Sequence, residues 1–219
     1  STGIRIENQR VTFPEPEFSA GTGVSQMTPF FRHGSYALTG PAAENGVLFS
    51  SIHFSGNPGE TRGGQGLVLA SRKVKYIHVT GTGDIPVHDR ARLESGRADV
   101  LRLIAASPFL SGENGISRYG SAALYDLVSA RGMMPTENFR KTFFSHAQSM
   151  NAWHYSQVFR TAGTGCSGCT ILCERETPQG SLLPGYSAMS HLSALVGNSS
   201  IDTVMSGYGL CRETCMDPV

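Results

Sequence analysis

The sequence of 219 residues is 39% hydrophobic and 16% charged, with a formal net charge of +1. This length allows one large domain or two small ones, and so small a net charge argues against a nucleic-acid-binding surface or a polybasic membrane patch. No run approaches the roughly 18 consecutive apolar residues of a membrane span, and the N-terminus lacks the basic and apolar regions of a signal peptide. We therefore expect a cytoplasmic protein with no nucleic-acid or membrane partner, or a chain whose leading segment is removed or missing.

The first portion, residues 1–84, is predicted to be rich in β-structure. Short runs of β-favouring residues at 4–6 and 11–13 flank a polar turn and predict a hairpin. Residues 14–37, rich in Pro, Gly and Ser, are expected to form a loop. The β-branched and aromatic residues of 74–79 (VKYIHV) predict a further strand.

The second portion, residues 85–219, is predicted to be mainly helical. Apolar residues recur at helical spacing over 87–106, and Pro108 ends that run. Further helices are predicted, in chain order, over residues 121–130, 146–162, 191–196 and 201–215. The sequence therefore predicts an α+β fold, in which a β-rich N-terminal portion is followed by a mainly α-helical portion.

Five cysteines, all after residue 165, form the most informative pattern of the chain. An odd and clustered set without a signal peptide indicates metal or cluster binding rather than a disulfide framework. Cys166, Cys169 and Cys173 have the spacing C-x2-C-x3-C, which allows the thiolates of one short loop to hold three corners of a [4Fe–4S] cube. Gly165 and Gly168 allow the tight backbone turns that such a loop needs.

A [4Fe–4S] cluster needs a fourth ligand, which commonly comes from a distant part of the sequence. Cys211 and Cys215 are one helical turn apart and share a helix face, so either could supply it, as could another chain. Both could instead be core residues. Two alternatives to the cluster stay open: a structural zinc site completed by Cys211 or Cys215, and a set of buried thiols without metal.

The cysteine loop lies within an ordered series of motifs. In chain order they are residues 39–45 (TGPAAEN), 61–66 (TRGGQG), 70–77 (ASRKVKYI), 118–121 (RYGS), 134–139 (MPTENF), 183–186 (LPGY), 195–198 (LVGN) and 210–217 (LCRETCMD). The set resembles the tungsten-dependent aldehyde ferredoxin oxidoreductase family, whose corresponding motifs read IGPAGEN, RGGxG, GSKxLKAI, YGT, LPTxNF, GPEYE, LGSN and LCNxxGLD. A single motif is weak, but the ordered set is specific and covers the chain from about residue 37 onward.

This resemblance implies a tungsten, or molybdenum, bis-pterin cofactor beside a [4Fe–4S] cluster. Proteins of the family oxidise aldehydes to carboxylic acids and pass the electrons to ferredoxin. The resemblance also implies that residues 1–84 are the end of a β-sheet base domain that cradles the pterins, and that residues 85–219 are a helical domain with the cysteine loop. A small aldehyde and ferredoxin, or another electron carrier, are the expected substrate and partner.

The resemblance also indicates which residues hold the pterin. Arg62, Gly63 and Gly64 lie in the glycine-rich motif, where backbone amides and an arginine fork suit the phosphates that pterins carry. Glu44 and Asn45 are candidates for contacts with the polar groups of the cofactor. Without the resemblance, the glycine-rich motif would be an ordinary turn before a strand, and Glu44 and Asn45 would cap a helix.

The chain also departs from the family pattern. It is much shorter than a full family member, and the family's fourth cluster cysteine belongs to a downstream region beyond these residues. Gly185 and Ser187 stand where GPEYE has glutamates, so a carboxylate for proton handling is missing there. In the last motif Arg212 and Cys215 replace family residues, and only Asp217 is kept as a candidate cofactor contact.

Three interpretations follow from these departures. The chain is a fragment or split subunit that a further chain or segment completes, or it is a degenerate relative that keeps a cluster, or only the fold, for electron transfer or scaffolding. A zinc-stabilised binding module is the third. The sequence singles out no catalytic residue.

Overall fold

A two-residue turn joins the first two strands of the chain. β1 (Thr2–Glu7) pairs antiparallel with β2 (Arg10–Thr12), and Asn8 and Gln9 between them have positive φ angles of 45° and 73°. Positive φ at both central residues is typical of a type I′ turn, whose twist matches that of the strands it joins. The predicted hairpin is therefore confirmed.

The computed structural model describes residues 1–57, 59 and 61–219, and the chain divides into two compact units. The first unit consists of Ser1–Ile85 and Gly209–Pro218, and the second of Pro86–Tyr208 and Val219. The first unit thus takes in residues that the sequence assigns to the helical portion. The assignment of 1–84 and 85–219 to two functional domains stays a prediction.

The first unit is built on a five-stranded mixed sheet of order β2-β1-β5-β3-β4, in which β1 and β5 are parallel and the other neighbours antiparallel. Its further strands are β3 (Ser35–Leu38), β4 (His53–Phe54) and β5 (Val74–Thr80). Its helices are α1 (Val24–Met27), which continues as a 3-10 turn over Thr28–Phe30, α2 (Pro41–Glu44) and α3 (Gln65–Ser71).

One apolar cluster forms the core of the first unit. Its buried members are Val24, Met27, Phe31, Leu38, Tyr76 and Cys215. The prediction of a plain loop over residues 14–37 is wrong, because this stretch contains α1 and the start of β3. Val24 and Met27 give α1 an apolar side that packs into the cluster, and this burial stabilises a helix too short to be stable alone.

The second unit is mainly helical. Its helices are α4 (Arg90–Ala106), α5 (Pro108–Ser111), α6 (Ile116–Tyr119), α7 (Ala123–Ala130), α8 (Ala147–Met150), α9 (Ala152–Phe159) and α10 (Tyr186–Leu192), followed by a 3-10 turn at Ala194–Val196. α11 (Ile201–Thr214) has residues in both units. A small antiparallel sheet of order β6-β7-β8 consists of β6 (Ala162–Thr164), β7 (Glu174–Glu176) and β8 (Leu182–Leu183).

The predicted helix over 146–162 is divided in the structure. Asn151 adopts an extended conformation (φ −74°, ψ 161°), and its Oδ1 accepts a hydrogen bond of 2.7 Å from the backbone N–H of His154. This side-chain cap ends α8 and begins α9, because it satisfies an N–H group that has no partner within the helix. The end of the predicted helix belongs instead to β6.

A mixed sheet followed by a mainly helical region confirms the predicted α+β fold class. The long α4 begins at Arg90 rather than at residue 87, because Asp89 Oδ1 caps it by accepting from Arg92 N at 2.9 Å. In the described residues no helix has both the length and the apolar character for crossing a membrane. The cytoplasmic location stays a prediction.

Candidate functional site

The three clustered cysteines lie in the loop that joins β6 to β7. These strands pair antiparallel, with Thr164 opposite Glu174, so residues 165–173 form the end of a hairpin. Within this cysteine loop, Cys169 N donates to Cys166 O at 3.0 Å in a tight turn, and Gly168 has a φ of +76°. The positive φ explains the glycine, since other side chains rarely adopt it.

The thiols of the cysteine loop interact electrostatically. Cys166 is exposed, and Cys169 and Cys173 are half-buried. Burial raises the pKa of the Cys173 thiol, and the negative charges of Glu174, Cys166 and Cys169 raise it further. Like charges so close together need a compensating cation when all three thiols ionise.

This donor set fits an iron–sulfur cluster, because three thiols in one loop are the ligands that such clusters use. In residues 1–57, 59 and 61–219, no three His, Cys, Asp or Glu side chains already lie in a metal-holding arrangement. The assignment of Cys166, Cys169 and Cys173 as cluster ligands therefore stays a prediction, supported by their common loop and their mutual electrostatic interaction.

Contacts outside the loop hold its hairpin in place. The backbone N–H of Ser121 donates to Cys173 O at 2.6 Å. Arg175, two residues after Cys173, donates through Nε to Thr161 Oγ1 at 3.1 Å and through Nη2 to Thr161 O at 3.0 Å. No sequence pattern indicates this arginine, because its partner Thr161 is defined only once β6 and β7 pair.

The second candidate site is the glycine-rich motif of the first unit. Arg62 is exposed, and Gly63 and Gly64 have φ angles of +82° and +71°. A Cβ atom on Gly64 would lie 2.2 Å from the carbonyl oxygen of Leu48. Both the backbone conformation and the close approach therefore require glycine at this position, immediately before α3.

The segment of Cys215 and Asp217, the last part of the first unit, contacts the same region as the glycine-rich motif. Ser51 N donates to Cys215 O at 2.7 Å, and Asp217 N donates to Phe49 O at 2.9 Å. The structure thus brings the segment of Asp217 and the glycine-rich motif to one turn, residues 47–51. Ser50 Oγ is buried there without a hydrogen-bond partner in the described part of the chain. An unsatisfied hydroxyl beside a glycine-lined backbone fits a polar cofactor such as a pterin.

Glu44 and Asn45 have other partners in the structure. Glu44 Oε1 lies 2.7 Å from Lys75 Nζ, and its Oε2 accepts from Gly21 N at 2.7 Å. Asn45 Nδ2 donates to Pro41 O at 2.9 Å at the end of α2. The geometry gives both residues a structural explanation, and their role in cofactor binding stays a prediction. Lys75, in the middle of an apolar strand, is the sequence feature that could have indicated the buried ion pair.

The two remaining cysteines are buried residues of the first unit. Cys211 is 6% exposed and Cys215 1% exposed. Burial raises the pKa of the Cys215 thiol to about 12, so it is protonated at neutral pH, and its Sγ lies 4.0 Å from Leu38 O. Metal binding deprotonates a coordinating thiol, so the choice of the fourth cluster ligand among Cys211, Cys215 and another chain stays a prediction.

Comparison with known proteins defines the class of this chain. Residues 1–81 match the family described as "Aldehyde ferredoxin oxidoreductase, N-terminal domain", and residues 96–219 match "Aldehyde ferredoxin oxidoreductase, domains 2 & 3". Among solved structures, the active site complex BamBC of benzoyl coenzyme A reductase, in complex with 1,5-dienoyl-CoA, has a TM-score of 0.71 at 20% identity. That likeness, which covers 99% of this chain and 36% of the other, shows a common fold.

The chain belongs to the aldehyde ferredoxin oxidoreductase family, a family of oxidoreductases. The tungsten-containing aldehyde ferredoxin oxidoreductase of Pyrococcus furiosus is 26% identical over 226 residues, covering 99% of this chain and 37% of that protein. The protein of the same name from Thermococcus kodakarensis is 27% identical over 187 residues, covering 84% and 31%. The chain thus spans about a third of the length of the curated relatives that it matches.

Proposed function

We propose that this chain is part of a tungstopterin- and [4Fe–4S]-dependent oxidoreductase that oxidises aldehydes to carboxylic acids and passes electrons to a ferredoxin-type carrier. Aldehyde and water give the acid, two electrons and protons, and the electrons leave one at a time. The observation that carries the proposal is the three-thiol loop between β6 and β7 in a chain of this family. A bound tungsten or molybdenum bis-pterin supplies the two-electron chemistry, and the protein supplies binding and orientation.

In this proposal, one candidate site of the chain binds the cluster and the other binds the pterin. Cys166, Cys169 and Cys173 hold the cluster, on a hairpin fixed by the hydrogen bond from Ser121 N to Cys173 O. Arg62 binds phosphate, and the backbone at Gly63 and Gly64 allows close approach of the pterin. Asp217 lies on the segment that meets the same turn and supplies a further polar contact.

A further chain or segment completes the site in this proposal. The chain spans 31–37% of the matched relatives' length. The remaining contacts to the cofactor therefore come from additional polypeptide, and the fourth cluster ligand comes from Cys211, Cys215 or that polypeptide. The electron carrier binds to that completed assembly.

A second candidate, a relative that uses the cluster for electron transfer or serves as a scaffold, is favoured by the geometry at Gly185. A Cβ atom there would lie 2.4 Å from Ser121 Oγ. The glutamate of the family motif therefore does not fit at this position unless Ser121 moves, and its carboxylate is missing from the site.

Aldehyde-dependent reduction of a viologen dye by anaerobically purified protein distinguishes the two candidates. We expect activity when the chain is co-expressed with polypeptide corresponding to the rest of its relatives, and none from the chain alone. Cys169→Ser should abolish dye reduction, whereas Ser167→Ala, an exposed change in the same loop, should preserve it. Activity of the chain alone would contradict the need for completion, and an inactive assembly that contains iron and tungsten would favour the second candidate.

A further inference from the structure

A pocket of about 450 Å³ opens on one face of the first unit's sheet, and it shares no residue with either candidate site. Side chains of paired strands form the floor of this pocket, because alternate residues of each strand point to the same face of the sheet. The floor consists of two cross-strand rows, Thr12–Arg5–His78 and Arg10–Glu7–Thr80. The register of the paired strands therefore places these polar side chains next to one another on the floor of the pocket.

The wall of this pocket is the last residue of the 3-10 turn at Thr28–Phe30 together with the segment that follows it. It contributes Phe30, Arg32 and His33. His78 on the floor donates its Nε2–H to the carbonyl oxygen of His33 at 2.7 Å, which ties the wall to the sheet. The ring of Phe30 meets Phe18 edge-on, with centroids 4.9 Å apart, and is 62% exposed. Its orientation is thus fixed, while much of its surface is available to a ligand.

The charged lining of the pocket consists of three arginines, Arg5, Arg10 and Arg32, and one carboxylate, Glu7, which lies opposite Arg10 in the β1–β2 pairing. Arg5 is held by Glu17, with Nη2 and Oε1 2.6 Å apart, and by a hydrogen bond of 3.3 Å from its Nε to Tyr76 OH. The ion pairs of the described residues include neither Arg10 nor Arg32. Among the described residues, no carboxylate lies within ion-pair distance of Arg10 or Arg32, and both guanidinium groups line one concave surface, in a chain whose net charge is only +1.

We propose that this pocket binds an organic phosphate with a planar ring, the chemical class of a nucleoside diphosphate. Guanidinium groups bind phosphate oxygens through paired N–H donors, so Arg10 and Arg32 hold the phosphates. The ring of the ligand packs against Phe30. The volume falls within the range of roughly 300–1,000 Å³ that small-molecule sites occupy.

Titration calorimetry of the full chain with adenosine 5′-diphosphate tests this site. We expect saturable binding that weakens as salt is raised, since charge supplies much of the attraction. The double variant Arg10→Gln/Arg32→Gln should weaken binding at least tenfold. Arg72→Gln, which removes an exposed arginine of the same unit outside the pocket, should leave it unchanged. Absence of saturable binding, or equal weakening in the two variants, overturns the proposal.

Phe30→Ala tests the planar part of the ligand separately. It should weaken binding of the nucleoside diphosphate at least threefold and leave binding of inorganic pyrophosphate unchanged, because pyrophosphate has no ring to pack. Unchanged affinity for the nucleoside diphosphate overturns the assignment of a planar ligand. Circular dichroism of each variant, compared with the unsubstituted chain, verifies that the sheet is intact.

Discussion

Lys75 and Glu44 form an ion pair inside the first unit. Their side chains are 2% and 14% exposed, and Lys75 Nζ also donates to Thr22 O at 3.3 Å. Charges removed from water are tolerated only when partners replace the lost hydration. Loss of one partner leaves the other charge buried without compensation. The ion pair thus gives Glu44 a role in the stability of the first unit, although the sequence motif alone indicates a contact with the cofactor.

Glu44→Ala is expected to lower the free energy of unfolding by about 3–5 kcal/mol, the usual cost of breaking a buried pair. Asn45→Ala, the matched control one residue later, should cost less than about 1 kcal/mol, because its side chain is exposed and its hydrogen bond to Pro41 O is local. Urea denaturation followed by circular dichroism measures both. Equal effects below 1 kcal/mol would show that Glu44 has no structural role.

His53 gives the first unit a pH-dependent stability. Burial and the nearby positive charge of Arg212 lower the pKa of the His53 imidazole from 6.5 to about 4. The unfolded chain therefore binds a proton as the pH falls through 6.5, and the folded chain does so only near pH 4. The free energy of unfolding is unaffected by this group above pH 6.5 and falls between pH 6.5 and 4.

The full effect of His53 corresponds to about 3 kcal/mol, at about 1.4 kcal/mol per pKa unit. Denaturation at a series of pH values should show this decline in the unsubstituted chain and a shallower one in His53→Gln. Substitution of the exposed His88 by Gln should keep the decline of the unsubstituted chain. A His53→Gln variant with an unchanged pH profile would rule out this origin of acid sensitivity.

At the scale of elements, Gly120 joins α6 to the cysteine hairpin. It has a φ of 70° and a ψ of −176°, a conformation almost restricted to glycine. A Cβ atom there would lie 2.8 Å from Arg175 Cγ and 3.1 Å from Cys173 O. The backbone immediately after α6 thus closely approaches the Arg175 side chain and Cys173 O, and the next residue, Ser121, donates to Cys173 O.

Gly120→Ala should lower the free energy of unfolding by at least about 1–3 kcal/mol, because it adds backbone strain to a steric clash. Gly96→Ala in α4 is the control. A Cβ atom on Gly96 meets nothing within 4 Å, and alanine favours a helix by up to about 1 kcal/mol over glycine, so this variant should be more stable. Thermal unfolding of both variants provides the comparison, and a harmless Gly120→Ala would contradict the packing described.

Helices and strands that show a pattern within a short stretch of sequence were predictable, whereas those that depend on contacts with residues elsewhere in the chain were not. The first hairpin, β5, α7 and α11 have turn residues or apolar spacing that can be read within one window of sequence. β6, β7 and β8 have two or three residues each, too few for a pattern, and they exist because they pair with one another. α3 begins where Gly64 adopts a positive φ beside Leu48 O, a contact that no local pattern predicts.

The candidate sites differ in the same way. The spacing of Cys166, Cys169 and Cys173 is local, so the sequence alone revealed the loop. The meeting of Asp217 with the turn at residues 47–51 links positions far apart in sequence, so no local pattern predicts it. The pairing of Glu44 with Lys75 became visible only in the folded chain.

For the whole molecule, the family is established by matches to residues 1–81 and 96–219, whereas composition and charge alone indicate no reaction. The chain covers about a third of its matched relatives. The proposed function therefore rests on family membership and on the cysteine loop, and aldehyde oxidation in it requires further polypeptide.

Metal analysis with electron paramagnetic resonance on the anaerobically purified chain tests the cluster assignment most directly. We predict about four irons per chain and the signal of a reduced [4Fe–4S] cluster, both lost in Cys169→Ser and kept in Ser167→Ala. Tungsten beside the iron would support the pterin site. One zinc per chain without iron would contradict the cluster and indicate a structural metal module.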